Sequence, residues 1–267
     1  MDYNTVTKEI RKKIVRMAFL SKNSHVGCAL SCADILAVLY FDVLSIDPQN
    51  PKESRDKFIL SKGHAASALY ATLAARGYFP ESVLDSYCQD GGALPGHSTK
   101  DCVPGVEVST GSLGHGLSMG AGMALAVQHD KKNAKVFVLL SDGECDEGAV
   151  WEAALFSSHH KLDNLVAIID YNTFQGLGKT SDVLNLEPLQ EKWEAFGWSV
   201  LRVDGHNYSE LKEALTNVPK ENTKPTLVIA NTIKGKGVSY MENKLDWHYK
   251  SPDEEQYNTA IAELDAS

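Results

Sequence analysis

Apolar residues recur at helical spacing from the start of the chain: Ile10, Ile14, Met17 and Ala18 share one face of residues 3–20, which predicts an amphipathic helix. The stretch from Ser31 to Leu44 repeats the pattern with Ala33, Leu36, Ala37 and Tyr40, predicting a second helix. Phe58-Ile59-Leu60 is a short apolar run that ends in Ser61-Lys62-Gly63-His64 and passes into the Ala-rich pattern AASALYATLAARG, so His64 is expected at a loop tip. From Tyr87 to Gly116 the sequence turns to Gly, Pro, Ser and Asp without a sustained apolar period, and a loop of that length in a compact domain is characteristically functional or disordered. Beyond it, VFVLL (136–140), LVAII (165–169), SVLRV (199–203) and TLVIA (226–230) are continuous apolar runs, the mark of strands buried on both faces of a parallel sheet. The tail DEEQYNTAIAEL predicts a closing helix with Ser251 as its N-cap. These elements make an α/β fold, a mainly parallel central sheet with helices on both faces. No repeat or shift of composition divides residues 1–267 into more than one domain.

Composition narrows the function. The chain is 43% hydrophobic and 23% charged, enough apolar sequence for a full core. Its 26 basic against 35 acidic residues give a net charge of −9, with no basic stripe to follow a phosphate backbone, so nucleic acid is not an expected partner. No apolar stretch approaches the ~20 residues of a membrane span, and the first helix lacks a signal-peptide pattern, so the expectation is a cytoplasmic protein without membrane partners. Five cysteines, odd in number and without a CxxC pair, are expected as reduced thiols.

The candidate chemistry lies where two of the apolar runs end. VFVLL is followed by Ser141-Asp142-Gly143 and LVAII by Asp170-Tyr171-Asn172, with a helical pattern between them. A right-handed crossover would make the two strands parallel and bring Asp142 and Asn172 out at the carboxyl edge, where open α/β sheets bind ligands. A carboxylate, an amide oxygen and a nearby backbone carbonyl form a hard oxygen set that suits Mg²⁺ and leaves positions for phosphate oxygens. Gly143 lets backbone approach a phosphate, and a helix starting near Glu147 would aim free N–H groups at it. Either tripeptide alone reads as an ordinary turn; the pair across one βαβ unit is far more specific.

With these residues the chain resembles the thiamine diphosphate enzymes, and within them the amino-terminal half of transketolase. The segments SDGECDEGAVWEA and NLVAIIDYNTFQ are similar to its cofactor motif, and SKNSHVGCALS, FILSKGHAASALYATLA, LPGHSTK, GVEVSTGSLGHGLSMGAGMALA and TIKGKGVSYMENKLDWHYKSP follow in family order. The resemblance covers about residues 5–255 and implies a thiamine diphosphate-binding fold. It implies Mg²⁺ or Ca²⁺ ligands in Asp142, Asn172 and the main-chain oxygen of Phe174. Diphosphate contacts are implied from His64, Gly143, Asn172 and His248, and contacts to the rings from Gly111, Ser112 and Leu113, with Glu144 also among the cofactor-binding residues. His25, His64, His97 and His248 are the implied catalytic histidines; His25 and His97 would face the sugars, a task suited to a group titrating near neutrality. Glu147 matches a residue of the interface between subunits, whereas His115, His129, His159, His160 and His206 are expected to be structural.

A full transketolase is more than twice as long, its second domain binding the aminopyrimidine. The implied protein is therefore the amino-terminal subunit of a two-component transketolase. Together with a separate carboxyl-terminal subunit it would form an α2β2 assembly and move a two-carbon ketol unit between sugar phosphates. The start at Met1 and the complete helical pattern at the end favour such a two-component enzyme over a fragment. Ser141 departs from the family's Gly, Ser24 from the Gly before His25, Val26 from a Pro, and Tyr249 from the Gly common after His248. These changes leave open a specialised ketose, branched or sulfonated, in place of pentose phosphates. A regulatory homologue without turnover is the other alternative, opposed by the joint presence of Asp142, Asn172 and the four histidines. A nicotinamide enzyme would need GxGxxG after a strand, but residues 111–116 read GSLGHG; Gly178-Lys179-Thr180 lacks the first glycine of a P-loop. The α subunit of a 2-oxoacid dehydrogenase is disfavoured by SKGHAA, LPGH and KGKGVSYMEN.

Overall fold

A computed structural model describes residues 1–49 and 54–266. Five strands, β1 (Lys57–Leu60), β2 (Val136–Ser141), β3 (Leu165–Tyr171), β4 (Ser199–Asp204) and β5 (Thr226–Asn231), pair in parallel throughout, in the order β1-β2-β3-β5-β4. Among the described residues ten helices surround them: α1 (Tyr3–Ser21), α2 (Val26–Ser31), α3 (Ala33–Val38), α4 (Ala66–Ala75), α5 (His115–His129), α6 (Gly148–His159), α7 (Thr180–Val183), α8 (Leu189–Ala195), α9 (Tyr208–Thr216) and α10 (Glu254–Ala266).

The alternation of side chains along the inner strands produces two cores. Phe137, Leu139, Val166, Ile168, Val228 and Ala230 face a layer containing α1 to α4, α9 and α10. Val136, Val138, Leu140, Leu165, Ala167 and Ile169 face α5, α6 and α8. This is why β2 and β3 read as unbroken apolar runs. SVLRV has the same appearance but forms an edge strand: β4 pairs only with β5, and Arg202 is exposed.

Two local expectations need correction. The helix expected over Ser31–Leu44 starts earlier, at Val26, breaks at Cys32 where ψ swings to 6°, and ends in a wide π turn over Leu39–Val43. Residues 26–40 are all buried, so no polar face marks the break. The last helix is capped by Asp253, not Ser251: Gln256 N–H donates to Asp253 Oδ1 at 2.9 Å and Asp253 N–H to Gln256 Oε1 at 3.0 Å, a reciprocal box. α6 starts at Gly148 with Glu147 as its N-cap, as the sequence places it, and a 3₁₀ turn, Asp142–Asp146, lies between it and β2.

The segment from Tyr87 to Gly114 holds no helix or strand but is pinned to the fold. Leu94, Val103 and Val106 are buried, Tyr70 Oη donates to His97 O at 3.1 Å, and Thr110 Oγ1 donates to Leu60 O at 2.8 Å. It rests on Gly63, where an added Cβ would lie 2.8 Å from Thr110 C and 3.0 Å from Gly111 N. Any larger residue at position 63 would lift the loop from the end of β1. His206 is structural, as expected: Nδ1 lies 2.6 Å from Asp34 Oδ2 and Nε2 accepts Ile233 N–H at 2.9 Å, tying the segment after β5 to α3. No helix among the described residues is long and apolar enough to cross a membrane.

Candidate active site

The carboxyl ends of β1, β2 and β3 open onto one cleft of about 290 Å³. It is lined by His25, His64, His97 and His248, by Gly111 and Leu113, and by Asp142, Gly143, Asn172 and Phe174. These residues come from widely separated stretches of sequence. The adjacency expected of β2 and β3 is observed, with Ser141 in register with Asp170. Two residues are placed differently. Ser112 Oγ turns to His115 Nδ1 at 3.1 Å, outside the cleft lining. Glu144 is fully buried behind the wall, accepting hydrogen bonds from Ser61 Oγ and from the N–H groups of Gly114 and Ser141, the latter two at 2.9 Å. Its carboxylate positions three loops. Ser141, in place of glycine, has φ −91°, an ordinary extended residue.

At the β2–β3 end, Asp142 is 1% exposed and, among the described residues, has no cation at ion-pair distance; its oxygens accept Gly143 N–H at 2.8 Å, Thr173 N–H at 2.7 Å and Thr180 Oγ1 at 3.2 Å. Burial, then the Asp170 charge, pushes its carboxyl up to about 7. Asn172 turns its amide nitrogen toward Asp170 Oδ2 at 3.4 Å, while Oδ1 accepts Phe174 N–H at 3.1 Å. One carboxylate, one amide oxygen and one carbonyl make too small a set to cage a cation. Among the described residues no three His, Cys, Asp or Glu side chains converge as a metal site. That donor set fits a hard divalent ion that takes its remaining oxygens from phosphate, and such an ion would offset the buried charge of Asp142.

The histidines meet across the cleft. His25 lies with ring centroids 5.2 Å from His64, 6.1 Å from His97 and 5.0 Å from His248. It has φ +71°, rare for a residue with a side chain, and its N–H donates to His248 O at 3.1 Å. Ser24 Oγ sits 3.0 Å from His25 Nδ1, so the departure at position 24 supplies a partner for the ring. The expectation of titration near neutrality fails for His25. Burial, then the neighbouring His64, depresses it to about 4, and burial lowers His97 as well. A proton-detected titration should therefore find His25 neutral down to about pH 5. Because the unfolded chain binds that proton near 6.5, His25's contribution to stability is full above that pH and lost as pH falls toward 4. A His25 midpoint near 6.5 by NMR would refute this.

Three residues under the cleft escaped the sequence reading. Lys62 and Asp170, both 0% exposed, form a buried ion pair; Lys62 Nζ also donates to Cys28 O at 3.0 Å, and Asp170 further accepts Ser31 and Thr232 hydroxyls. Lys234, also 0% exposed, donates to His248 Nδ1 at 3.2 Å. Since an ammonium has no lone pair, Nδ1 is the acceptor and a neutral His248 carries its proton on Nε2. Lys62 and Lys234 follow strand ends in SKGH and TIKGKG, which was the available signal. At the rim, Tyr249 Oη donates to Gly176 O at 2.8 Å, and a Cβ at Gly176 would lie 2.7 Å from that hydroxyl.

The family model described as transketolase, thiamine diphosphate binding domain, matches residues 4–263. An apulose-4-phosphate transketolase subunit of Phocaeicola vulgatus is 46% identical over 255 residues, covering 95% of this chain and 90% of that one. A 6-deoxy-6-sulfo-D-fructose transketolase subunit of Clostridium sp. is 46% identical over 242 residues, 90% and 88% of the respective chains. Human transketolase is 39% identical over 90% of this chain but only 38% of its own length. Transketolase from Leishmania mexicana superposes with a TM-score of 0.94 at 29% identity over 99% of this chain. The chain spans 41% of that structure's length.

Proposed function

The chain belongs to the transketolase thiamine diphosphate-binding domain family, and from that membership we infer that it is the amino-terminal subunit of a two-component transketolase, moving a two-carbon ketol unit from a ketose phosphate to an aldose phosphate. The observation that carries this reading is the cleft itself, which gathers the Asp142–Asn172 pair and four histidines at one sheet edge. Thiamine diphosphate would supply the carbon nucleophile for ketol transfer, its diphosphate neutralised by magnesium.

Asp142, Asn172 and the Phe174 carbonyl would hold the metal, and His64, Gly143, Asn172 and His248 the diphosphate. Gly111 and Leu113 line the same cleft on the side expected to meet the rings. His25 is neutral, and with Nδ1 engaged by Ser24 its Nε2 is available to a sugar hydroxyl. His97 stands across from it and would exchange a proton with the sugar. Its replacement, His97→Ala, should lower turnover of the assembled enzyme by about 100-fold, the lower range for general acid–base catalysis. Cofactor affinity should remain within about twofold by calorimetry. Equal losses in both would move His97 to the cofactor.

The partner is a separate carboxyl-terminal subunit that completes the pyrimidine end, a reading supported by the relatives of similar length that are themselves named as transketolase subunits. Co-expression with the product of the adjacent reading frame should yield a complex that transfers ketol from xylulose 5-phosphate to ribose 5-phosphate, with neither chain active alone. No complex and no transfer with any ketose would refute the assignment.

A specialised donor is the second reading, favoured by Tyr249. Its ring joins the turn carrying His248 to the segment carrying Gly176, at the rim where a small residue would leave room. Tyr249→Gly should shift the ratio of kcat/KM between two ketoses by roughly tenfold or more while leaving cofactor affinity unchanged. An unaltered ratio would remove Tyr249 from donor selection.

A further inference from the structure

The two buried lysines beneath the cleft differ in how their charge is met. Lys62 has Asp170. Lys234 donates to Cys28 Sγ at 3.1 Å and to His248 Nδ1 at 3.2 Å, and among the described residues no carboxylate lies within ion-pair distance of it. A fully buried ammonium without an anion is strongly unfavourable. Of its two partners His248 accepts as a neutral ring, so the group able to become the anion is the Cys28 thiol.

Of the other groups around Cys28, His64 acts in the same sense, whereas His248 presents the nitrogen that accepts from Lys234 and donates nothing to the sulphur. His248 Nδ1 is 3.4 Å from the sulphur, and His64 reaches it from the turn after β1. His25 is the N-cap of α2, the helix that carries Cys28, and the Lys62 ammonium is held at the Cys28 carbonyl, already paired with Asp170. Cys32, one turn along, stays protonated, pushed up to about 12 by burial. Although Cys28 is only 3% exposed, it lines the cleft, so a small reagent entering there meets the sulphur.

We propose that Cys28 is a nucleophilic thiolate paired with Lys234, and that it is a covalent modification site for small soft electrophiles entering the cleft. Burial alone would oppose its ionisation; the Lys234 charge, with the hydrogen bond from His64, outweighs burial and holds the thiol well below its usual range. With a haloacetamide the sulphur lone pair forms an S–C bond as the C–I bond breaks and iodide leaves. No electron is exchanged, and no base is needed because the proton is already gone.

The test is iodoacetamide labelling of the full chain at pH 6 and pH 8, read peptide by peptide by mass spectrometry. Cys88 is an internal control, exposed and with its thiol raised by partial burial. Its rate should fall about 100-fold from pH 8 to pH 6, tenfold per unit as the thiolate fraction falls. The Cys28 rate should fall less than about threefold, and in Lys234→Met it should regain the steep dependence of Cys88. A Cys28 that stays unlabelled at both pH values, or that shares the Cys88 profile in the unaltered chain, overturns the proposal. The proposal rests on the transketolase reading in one respect, the expectation that magnesium pyrophosphate slows Cys28 and not Cys88. A flat Cys28 profile without that protection sustains the thiolate and counts against the cleft as the diphosphate site.

Discussion

Asp142→Asn should lower magnesium-dependent affinity for thiamine diphosphate by more than about 100-fold in the assembled enzyme, since even an outer-shell partner of a metal ligand is worth roughly 10–100-fold. The reason lies in the electrostatics of one buried group. Asp142 is 1% exposed, has no cation at ion-pair distance among the described residues, and sits near enough to Asp170 for that charge to raise it further, against a smaller lowering by Lys62. A divalent ion relieves this penalty, and the amide of asparagine removes the charge that draws the ion. The fold itself should tolerate the change. Asparagine keeps one oxygen for Thr173 N–H and Thr180 Oγ1, and the one contact it forfeits is the acceptor of Gly143 N–H, a loss of about 1 kcal/mol that the fold can bear. Calorimetric titration with and without EDTA gives the answer: EDTA should weaken binding to the unaltered enzyme and have little effect on the variant. Retained, EDTA-sensitive affinity in the variant would sink the site assignment.

Asp170→Leu should destabilise the chain by about 3–5 kcal/mol, the usual consequence of stranding one partner of a buried ion pair. At roughly 2–4 °C per kcal/mol this is a melting shift on the order of 10 °C. Lys62 is raised and Asp170 lowered by their mutual attraction against the burial of both, so each holds the other in its charged form. Removing the carboxylate leaves an ammonium at 0% exposure with the Cys28 carbonyl, takes the acceptor of Thr232, and leaves Ser31 to share that same carbonyl. The double variant Lys62→Met/Asp170→Leu should melt above Asp170→Leu, because an apolar pair strands no charge. Calorimetric melting of the three proteins measures the coupling. A double variant no more stable than Asp170→Leu would show that the loss comes from the hydroxyl network and not from the ion pair.

Burial explains which parts of the fold were legible. Strands β2, β3 and β5 are covered on both faces, and that condition admits only apolar side chains, so each strand prints itself as a continuous run. The motif pair was equally visible, because the residue after a parallel strand must emerge at its carboxyl edge and only the adjacency of β2 and β3 had to be added. The break at Cys32 was illegible for the opposite reason: when every side of a helix is buried, no polar period records where the backbone turns. The cap at Asp253 is a matter of two competing local acceptors within three residues, and hydrogen-bond geometry chooses between them.

The parallel α/β frame, the family and the residues that emerge at the sheet edge could all be read from the order of residues alone, because they rest on local rules of strand burial and turn chemistry and on motifs a few residues long. The electrostatic state of the site could not. That burial depresses His25, that burial raises Asp142, that Glu144 braces loops behind the wall and that Lys234 meets Cys28 emerge only from the folded chain. Cys28 and Lys234 are 206 positions apart, and Cys28 and His248 are 220. A side chain's ionisation depends on its burial and on the charges within a few ångströms of it, and neither quantity exists until residues so distant in the chain have been folded against each other.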